Sequence, residues 1–302
     1  MGSEKRYADW IAVDWGTSNL RAWAMRDGMP VAEAGSGKGM GSLDPDGFET
    51  ALLELIEPWL GRVRMTVVAC GMVGARQGWI EAPYASVPCP PVSTAVTRAP
   101  VQDKRLDVAI LPGLSQANPP DVMRGEETQI AGFLSQTPGF GGILCLPGTH
   151  TKWVQISAGE VISFRTFMTG ELFALVSGQS VLRHSMDAGW DAEAFAEAVA
   201  DGMSKPEALA GRFFSIRAVG LLTEPAPGTA KARLSGLLIG AELAAARAYW
   251  LGQRVAILGE GRLAGLYADA LDAQGATPET HDVAEATLAG LAVAYQTLKE
   301  AP

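Results

Sequence analysis

Ile11-Ala-Val-Asp14-Trp-Gly16-Thr17-Ser18-Asn-Leu-Arg21-Ala-Trp23 and Ile143-Leu-Cys-Leu146-Pro-Gly148-Thr149-His150-Thr-Lys152-Trp153 are two copies of one pattern in a single chain. Each copy reads as an apolar strand, a Gly-Thr turn, and a second strand that opens on a basic residue and a Trp. Each then reaches a turn, Asp27-Gly28 or Ala158-Gly159, and a third short apolar run. Gly in such a turn supplies the positive φ that a tight hairpin needs. Two β-turn-β-turn-β units imply two similar lobes, each presenting a Gly-Thr turn. Facing one another, such turns can hold a phosphate chain with backbone N–H groups and hydroxyls.

Working outward, Pro138-Gly-Phe-Gly-Gly142 is the best boundary, which places the lobes at 1–137 and 138–302. Before it the pattern predicts three strands over 10–35, a helix over 44–60, strands at 65–70 and 107–111, and a helix over 125–136. The proline-rich stretch 82–100 has no clear period and reads as a loop, and the segment around Lys38 reads as a flexible turn. After the second strand triple, helices are expected over 170–183, 192–200, 206–212 and 234–250. A strand follows at 254–258, then helices around 263–271 and 283–298.

The chain has 302 residues, 48% hydrophobic and 19% charged, which is ordinary globular composition. A net charge of −9 argues against non-specific nucleic-acid binding, so an anionic ligand must meet a local basic cluster. No apolar run approaches a membrane span. The N-terminal Met-Gly-Ser-Glu-Lys-Arg-Tyr carries no apolar signal region, so a cytoplasmic location is expected. Cys70, Cys89 and Cys145 lack metal-like spacing, and Cys70 and Cys145 read as reduced core thiols. The oligomeric state is left open.

Several residues carry chemistry. Asp14 stands at a strand end before a turn of exposed amides and hydroxyls, where a carboxylate can hold Mg²⁺ through water. Gly16 lets a phosphate approach the backbone, although without the second copy a plain hairpin with a capping Asp is the simpler reading. In the second copy Leu146 replaces Asp14, which fits one metal ion and one nucleotide. His150 reads as structural or catalytic, and Lys152 as a phosphate ligand or a solvated strand residue. Arg124-Gly125-Glu126-Glu127 opens a helix, where the dipole keeps a carboxylate ionised and suited to act as a base. Routine acidic decoration of a helix start gives the same pattern. Leu258-Gly259-Glu260-Gly261-Arg262-Leu263-Ala264 looks like a dinucleotide fingerprint, but too little chain follows for that fold. A strand-to-helix turn of this kind also suits passage under a purine ring.

The two Gly-Thr turns and the late Gly259-x-Gly261 turn resemble the phosphate-1, phosphate-2 and adenosine segments of the sugar kinase/Hsp70/actin superfamily. In its glycerol- and xylulose-kinase-like members, a Gly-Asp pair opening a helix before the second turn supplies the catalytic base. Gly125-Glu126 stands in the matching place, with Glu for Asp. More closely, Ala12–Arg21, Gly71–Trp79, Met123–Gln129, Leu146–Trp153 and Phe167–Phe173 together resemble the 2-dehydro-3-deoxygalactonokinases. That resemblance implies a duplicated ribonuclease H-like α/β fold, two mixed sheets flanked by helices with a cleft between the lobes. It also implies transfer of phosphate from ATP to the terminal hydroxyl of a 2-keto-3-deoxy sugar acid in galactonate breakdown.

On this reading Asp14 positions Mg²⁺ and Glu126 accepts the hydroxyl proton. Gly16, Thr17, Ser18, Gly148, Thr149 and His150 hold the phosphates, and Gly259 and Gly261 serve adenosine. Arg21, Arg76 and Lys152 are candidates to neutralise phosphate or the acid's carboxylate. Arg76, Gln77, Trp79 and Arg124 are expected near the sugar chain, with core packing the other reading for Trp79. The alternatives are a kinase of another sugar or sugar acid, an actin- or chaperone-like ATPase switch, and an oxidoreductase resting on the Gly-rich lookalike.

Overall fold

The computed structural model describes residues 8–300, so the N-terminal stretch read for export signals lies outside the described residues. The chain forms two units, each with its own mixed sheet. Among the described residues no helix is long and apolar enough to cross a membrane.

Among the described residues, unit 1 comprises residues 8–140, 157–163 and 283–300. Its strands are β1 (Trp10–Trp15), β2 (Leu20–Arg26), β3 (Met29–Ser36), β4 (Met65–Gly71), β5 (Tyr84–Ser86), β6 (Thr97–Arg98), β7 (Leu106–Ile110), β8 (Gly113–Ala117) and β9 (Pro120–Met123). Its helices are α1 (Phe48–Ile56), α2 (Glu126–Gln136) and the C-terminal helix described below. The main sheet runs β3-β2-β1-β4-β7-β6, with β1 antiparallel to β2 and parallel to β4. Strand β1 is apolar on both faces because both are covered. Ile11, Val13 and Trp15 join the core that includes Phe48 and Leu52 of α1, while Trp10 and Ala12 join a second core on the opposite face.

The expected 44–60 helix is shorter than predicted. Pro45 and Pro58 fall in 3₁₀ turns on either side of α1, since proline has no N–H to give and obstructs the preceding turn. The stretch 82–100 is not structureless: β5 pairs with β8, and β6 pairs with β7.

Unit 2 comprises residues 141–156 and 164–282. Its sheet contains β10 (Gly142–Leu146), β11 (Thr151–Ser157), β12 (Glu160–Phe167), β13 (Val255–Leu258) and β14 (Glu279–His281), in the order β12-β11-β10-β13-β14. Strand β10 is antiparallel to β11 and parallel to β13, which repeats the relation of β1 to β2 and β4. The helices are α3 (Thr169–Gln179), α4 (Ala192–Ser204), α5 (Leu209–Leu222), α6 (Thr229–Ala245), α7 (Arg247–Trp250) and α8 (Gly261–Asp272). Helix α5 is twice the predicted length, and the predicted 234–250 helix begins earlier and breaks at Ala246.

The last helix, α9 (Val283–Glu300), belongs to unit 1, not to a contiguous 138–302 lobe. Its Leu291 and Ala294 fill the second core of the β1 sheet, and Tyr295 stacks on Trp10 at 4.4 Å. Glycines let α9 and α2 cross closely: a Cβ on Gly132 or Gly290 would collide with the other helix's backbone. Residues 157–163, in the β11–β12 hairpin, also group with unit 1.

Candidate active site

In unit 1 the first Gly-Thr turn is held from below. Gly16 N–H donates to Asn19 O (2.9 Å), Met40 N–H to Gly16 O (2.9 Å), and Gly41 N–H to Thr17 O (2.9 Å). A Cβ on Gly39 would run into the backbone of Thr17, Ser18 and Asn19. Trp15 Nε1–H donates to Lys38 O at 3.0 Å. The segment 38–41, expected as a flexible turn, is therefore the buttress of the first Gly-Thr turn. Thr17, Ser18 and Arg21 are exposed above it.

Asp14 sits opposite Arg21 and beside Cys70 in the sheet, and Cys70 Sγ approaches its Oδ1 at 3.9 Å. Burial raises the Asp14 pKa, Arg21 and Cys70 oppose that shift, and the negative charge of Glu126 adds to it. Glu126 at the start of α2 and Asp14 at the end of β1 therefore feel one another's field. The chain reaches this geometry through two glycines of positive φ, Gly71 (+91°) and Gly125 (+107°), where L side chains are strained. A Cβ on Gly125 would stand 3.4 Å from Gly71 Cα, so the end of β4 and the start of α2 approach backbone to backbone.

The adjacent acids differ. Glu126 is partly exposed, and its Oε2 accepts from Arg124 N–H at 3.1 Å. Glu127 is 1% exposed; its Oε2 accepts from Gly125 N–H at 2.7 Å, and Thr128 Oγ1 donates to its Oε1 at 3.2 Å. Burial, with the charge of Glu126 adding, pushes the Glu127 pKa up to about 8.

The expected substrate residues do not share one environment. Arg76 and Gln77 are exposed. Trp79 is partly buried and packs its ring against Phe48 (6.2 Å) and Trp15 (6.1 Å), which is the core-packing arrangement. Arg124 is 9% exposed: Nη2–H donates to Ala82 O (2.7 Å) and the guanidinium lies 4.3 Å from the Tyr84 ring centre. It is seated inside unit 1, with Nε and Nη1 buried and without a hydrogen-bond partner.

In unit 2, Thr149 and His150 of the second turn are exposed, and His150 Nε2 lies 2.6 Å from Glu171 Oε2. Lys152 is 5% exposed and donates to His150 O at 3.2 Å, so it is not a solvated strand residue. The start of α3 is pressed on this turn. A Cβ on Gly170 would strike Gly148 O, and Glu171 N–H donates to Thr149 O at 2.9 Å.

A cavity of about 380 Å³ opens beside the turn. Gly148, Thr149 and Gly170 line it, and Trp190, Lys231 and Arg262 line it as well. The Arg262 guanidinium lies 3.8 Å from the Trp190 ring centre. This is a nucleoside-sized space with a Gly-Thr turn in its wall. The late Gly-rich turn reaches it indirectly. Gly259 is buried against Ala264 and Gly261 opens α8, whose following residues Arg262, Leu263 and Leu266 form the wall. A parallel β13-α8-β14 unit does exist, but β14 is a three-residue strand at the end of the sheet.

Sequence reasoning missed Trp190, Lys231, Ser235, Tyr267 and Glu242. Lys231 and Ser235 both line the cavity and are one turn apart on α6, a spacing legible only once α6 is known to face a ligand. Below the cavity, the 3%-exposed Glu242 of α6 gathers three donors. Trp153 Nε1–H and Tyr267 OH each donate at 2.7 Å, and Thr169 Oγ1–H donates closely. Burial pushes its pKa up to about 7 against those hydrogen bonds.

The two repeated α/β units, one with Asp14 and Glu126 in each other's field and one with a cavity beside a Gly-Thr turn, are those of a kinase. The family model for 2-keto-3-deoxy-galactonokinase matches residues 14–294, and the chain belongs to that family. It is 39% identical to a probable 2-dehydro-3-deoxygalactonokinase of Rhizobium meliloti, covering 96% of this chain and 97% of that one. It is 36% identical to the 2-dehydro-3-deoxygalactonokinase of Escherichia coli, over 89% and 91% of the two chains. A crystal structure from Sinorhizobium meliloti bearing the same enzyme name superposes with a TM-score of 0.89 at 38% identity, covering 97% of this chain and all of that one. Membership of a kinase family implies ATP as phosphoryl donor, and nothing supports the chaperone-like alternative.

Proposed function

We propose that the protein phosphorylates the terminal 6-hydroxyl of 2-dehydro-3-deoxy-D-galactonate, drawing the phosphoryl group from ATP. The observation that carries this reading is the convergence of Asp14 and Glu126, on different elements, beside exposed turn residues Thr17 and Ser18. The names of the relatives support the acceptor.

Unit 2 holds the nucleoside in the cavity bounded by Trp190, Lys231 and Arg262, with Gly148 and Thr149 towards the phosphates. In unit 1 Thr17, Ser18 and the amides of the first turn bind phosphate oxygens, and Glu126 takes the proton of the attacking hydroxyl. Phosphoryl transfer runs through a loose transition state, so positioning and charge neutralisation supply most of the acceleration and the base a smaller part. Arg21 and Arg76, both exposed, are the cations available for phosphate or carboxylate in unit 1.

The donor chemistry fits Mg²⁺. Asp14 is a hard oxygen donor, and among the described residues no three His, Cys, Asp or Glu side chains cluster into a cage. Mg²⁺ in nucleotide enzymes rests on one or two carboxylates plus water and phosphate. Asp14 would hold such an ion, which when bound neutralises phosphate charge. A soluble, cytoplasmic enzyme acting on a small sugar acid completes the reading.

The test is incubation with Mg·ATP and a panel of aldonates and 2-keto-3-deoxy sugar acids, following ADP release. Turnover confined to the galactonate-derived acid supports the proposal. Turnover with a different sugar and not with this acid would replace the acceptor, because the fold does not fix it.

A further inference from the structure

The buried carboxylate of Glu242 touches neither the turns nor the catalytic acids, yet it joins elements from both ends of the nucleotide cavity. Thr169 begins α3, the helix pressed on the Gly148–Thr149 turn, and Tyr267 lies on α8, which follows the Gly259–Gly261 turn. Both residues line the cavity. Trp153 lies on β11, the strand that leaves the second turn. One side chain on α6 therefore collects hydrogen bonds from three elements that shape the nucleotide site.

The bonds to an ionised Glu242 set the polarity of the network. An indole N–H can only donate, so Trp153 requires an acceptor at Oε1. Tyr267 OH spends its single hydrogen on Oε2, so Thr151 Oγ1, 2.9 Å away, must donate to Tyr267. Thr169 Oγ1 donates to the same Oε2. An ionised carboxylate accepts all three bonds at once, whereas an amide nitrogen in the Oε2 place can only donate, so the hydroxyls of Thr169 and Tyr267 must both turn round to accept it. In a buried site such a reversal reorders the network and shifts the elements that carry it.

We propose that Glu242 is a positioning residue for the nucleotide: through Thr169 and Tyr267 it fixes the spacing between the phosphate-binding turn and the helix that lines the adenosine end. The inference rests on the kinase reading of the cavity. Because Glu242 lies outside the acceptor-binding and acid-base groups of unit 1, its loss should fall on nucleotide affinity and leave the chemical step alone.

The experiment is calorimetric titration of the full-length protein with ATP and with ADP, alongside steady-state kinetics. Glu242→Gln should bind both nucleotides about tenfold or more weakly, with kcat at saturating ATP and KM for the sugar acid within about threefold of wild type. Thr169→Val should show the same split, and Thr169→Ser, which keeps the hydroxyl, should restore affinity. The double variant Glu242→Gln/Thr169→Val should lose less than the sum of the two single losses, because both disturb the shared Thr169–Glu242 bond. A folded Glu242→Gln with wild-type nucleotide affinity overturns the proposal, as does full additivity in the double variant. If Glu242→Gln does not fold, equal affinities for Thr169→Val and Thr169→Ser overturn it. A wild type that binds neither ATP nor ADP overturns the kinase reading itself.

Discussion

Glu126 and Glu127 are neighbours in sequence with opposite surroundings: Glu126 is partly open, while Glu127 is sealed and accepts the N–H of Gly125 at 2.7 Å. Successive helical residues point about 100° apart, so only one of the pair can meet a substrate. The buried acid is bonded to the helix start, and on the proposed reading the open acid is the base. Glu126→Gln should therefore lower kcat by at least about 100-fold, the lower end of general-base help, with ATP affinity little changed. Glu127→Gln should lose much less, since its amide oxygen can still accept from Gly125. Single-turnover kinetics on both variants checks this, and the reversed order would move the base to Glu127.

Glu127 also predicts a pH effect on stability. Its folded pKa, about 8, lies above its ordinary value of 4.5, so the folded state holds a proton that the unfolded state releases. This contribution is fully present below pH 4.5 and is lost as pH rises towards 8. Glu127→Gln removes that term. Its melting temperature relative to wild type should rise between pH 5 and pH 8.5, read by thermal melts of both proteins across that range. A difference that stays flat with pH would show that Glu127 is not held protonated.

Asp14→Asn keeps the shape of a partly buried side chain and removes the charge that would hold Mg²⁺. Burial already disfavours that charge in the free protein, so the variant should fold with an unchanged or higher melting temperature. Its kcat should fall by about 100-fold or more. Near wild-type turnover at saturating Mg²⁺ would remove Asp14 from the metal role.

The sequence revealed the repeat and both Gly-Thr turns because each lies in a strand-turn-strand run whose residues are neighbours in the chain. Asp14 and Glu126 were legible for the same local reason, as a strand end and a helix start. What could not be read depends on partners distant in sequence. The fit of Gly39 under Thr17–Asn19, the return of α9 to the first sheet, and the gathering of Trp153, Thr169 and Tyr267 on Glu242 are examples. Strands of two or three residues, β5, β6 and β14, hold too few positions for alternation to register. Arg124 was legible as a basic residue beside the helix start, but its seat was not: its Nη2–H donates to Ala82 O and its guanidinium lies over Tyr84, both partners about 40 positions away in the chain.

Gly39 gives a prediction that separates turn geometry from turn chemistry. A methyl group there would press on the backbone of Thr17, Ser18 and Asn19, none of which can yield without moving the phosphate-1 turn. Gly39→Ala should therefore raise KM for ATP and lower kcat/KM by about tenfold or more, with residues of the turn itself untouched. Gly37→Ala, two positions away where a Cβ meets open space, should stay near wild type. Equal kinetics for the two variants would show that the buttress is dispensable.

The Gly-rich turn before α8 yields the last prediction. It carries the spacing of a dinucleotide fingerprint, and β13-α8-β14 supplies a short parallel unit around it. A dinucleotide site requires the sheet to continue beyond that unit. Here the sheet ends at β14, and the cavity wall is made by residues after the turn. Trp190 and the Arg262 guanidinium stacked on its ring at 3.8 Å line one wall, which suits a single base. The protein should therefore bind ATP and ADP and show no NAD(H) affinity in calorimetry. Trp190→Ala should weaken ADP binding by about tenfold, at the scale of one lost base-aromatic stack. Arg262→Ala should weaken it less, because the ring remains. Micromolar NAD(H) binding with none for ATP would overturn the kinase assignment of this cavity, and an unchanged ADP affinity in Trp190→Ala would place the base elsewhere in unit 2.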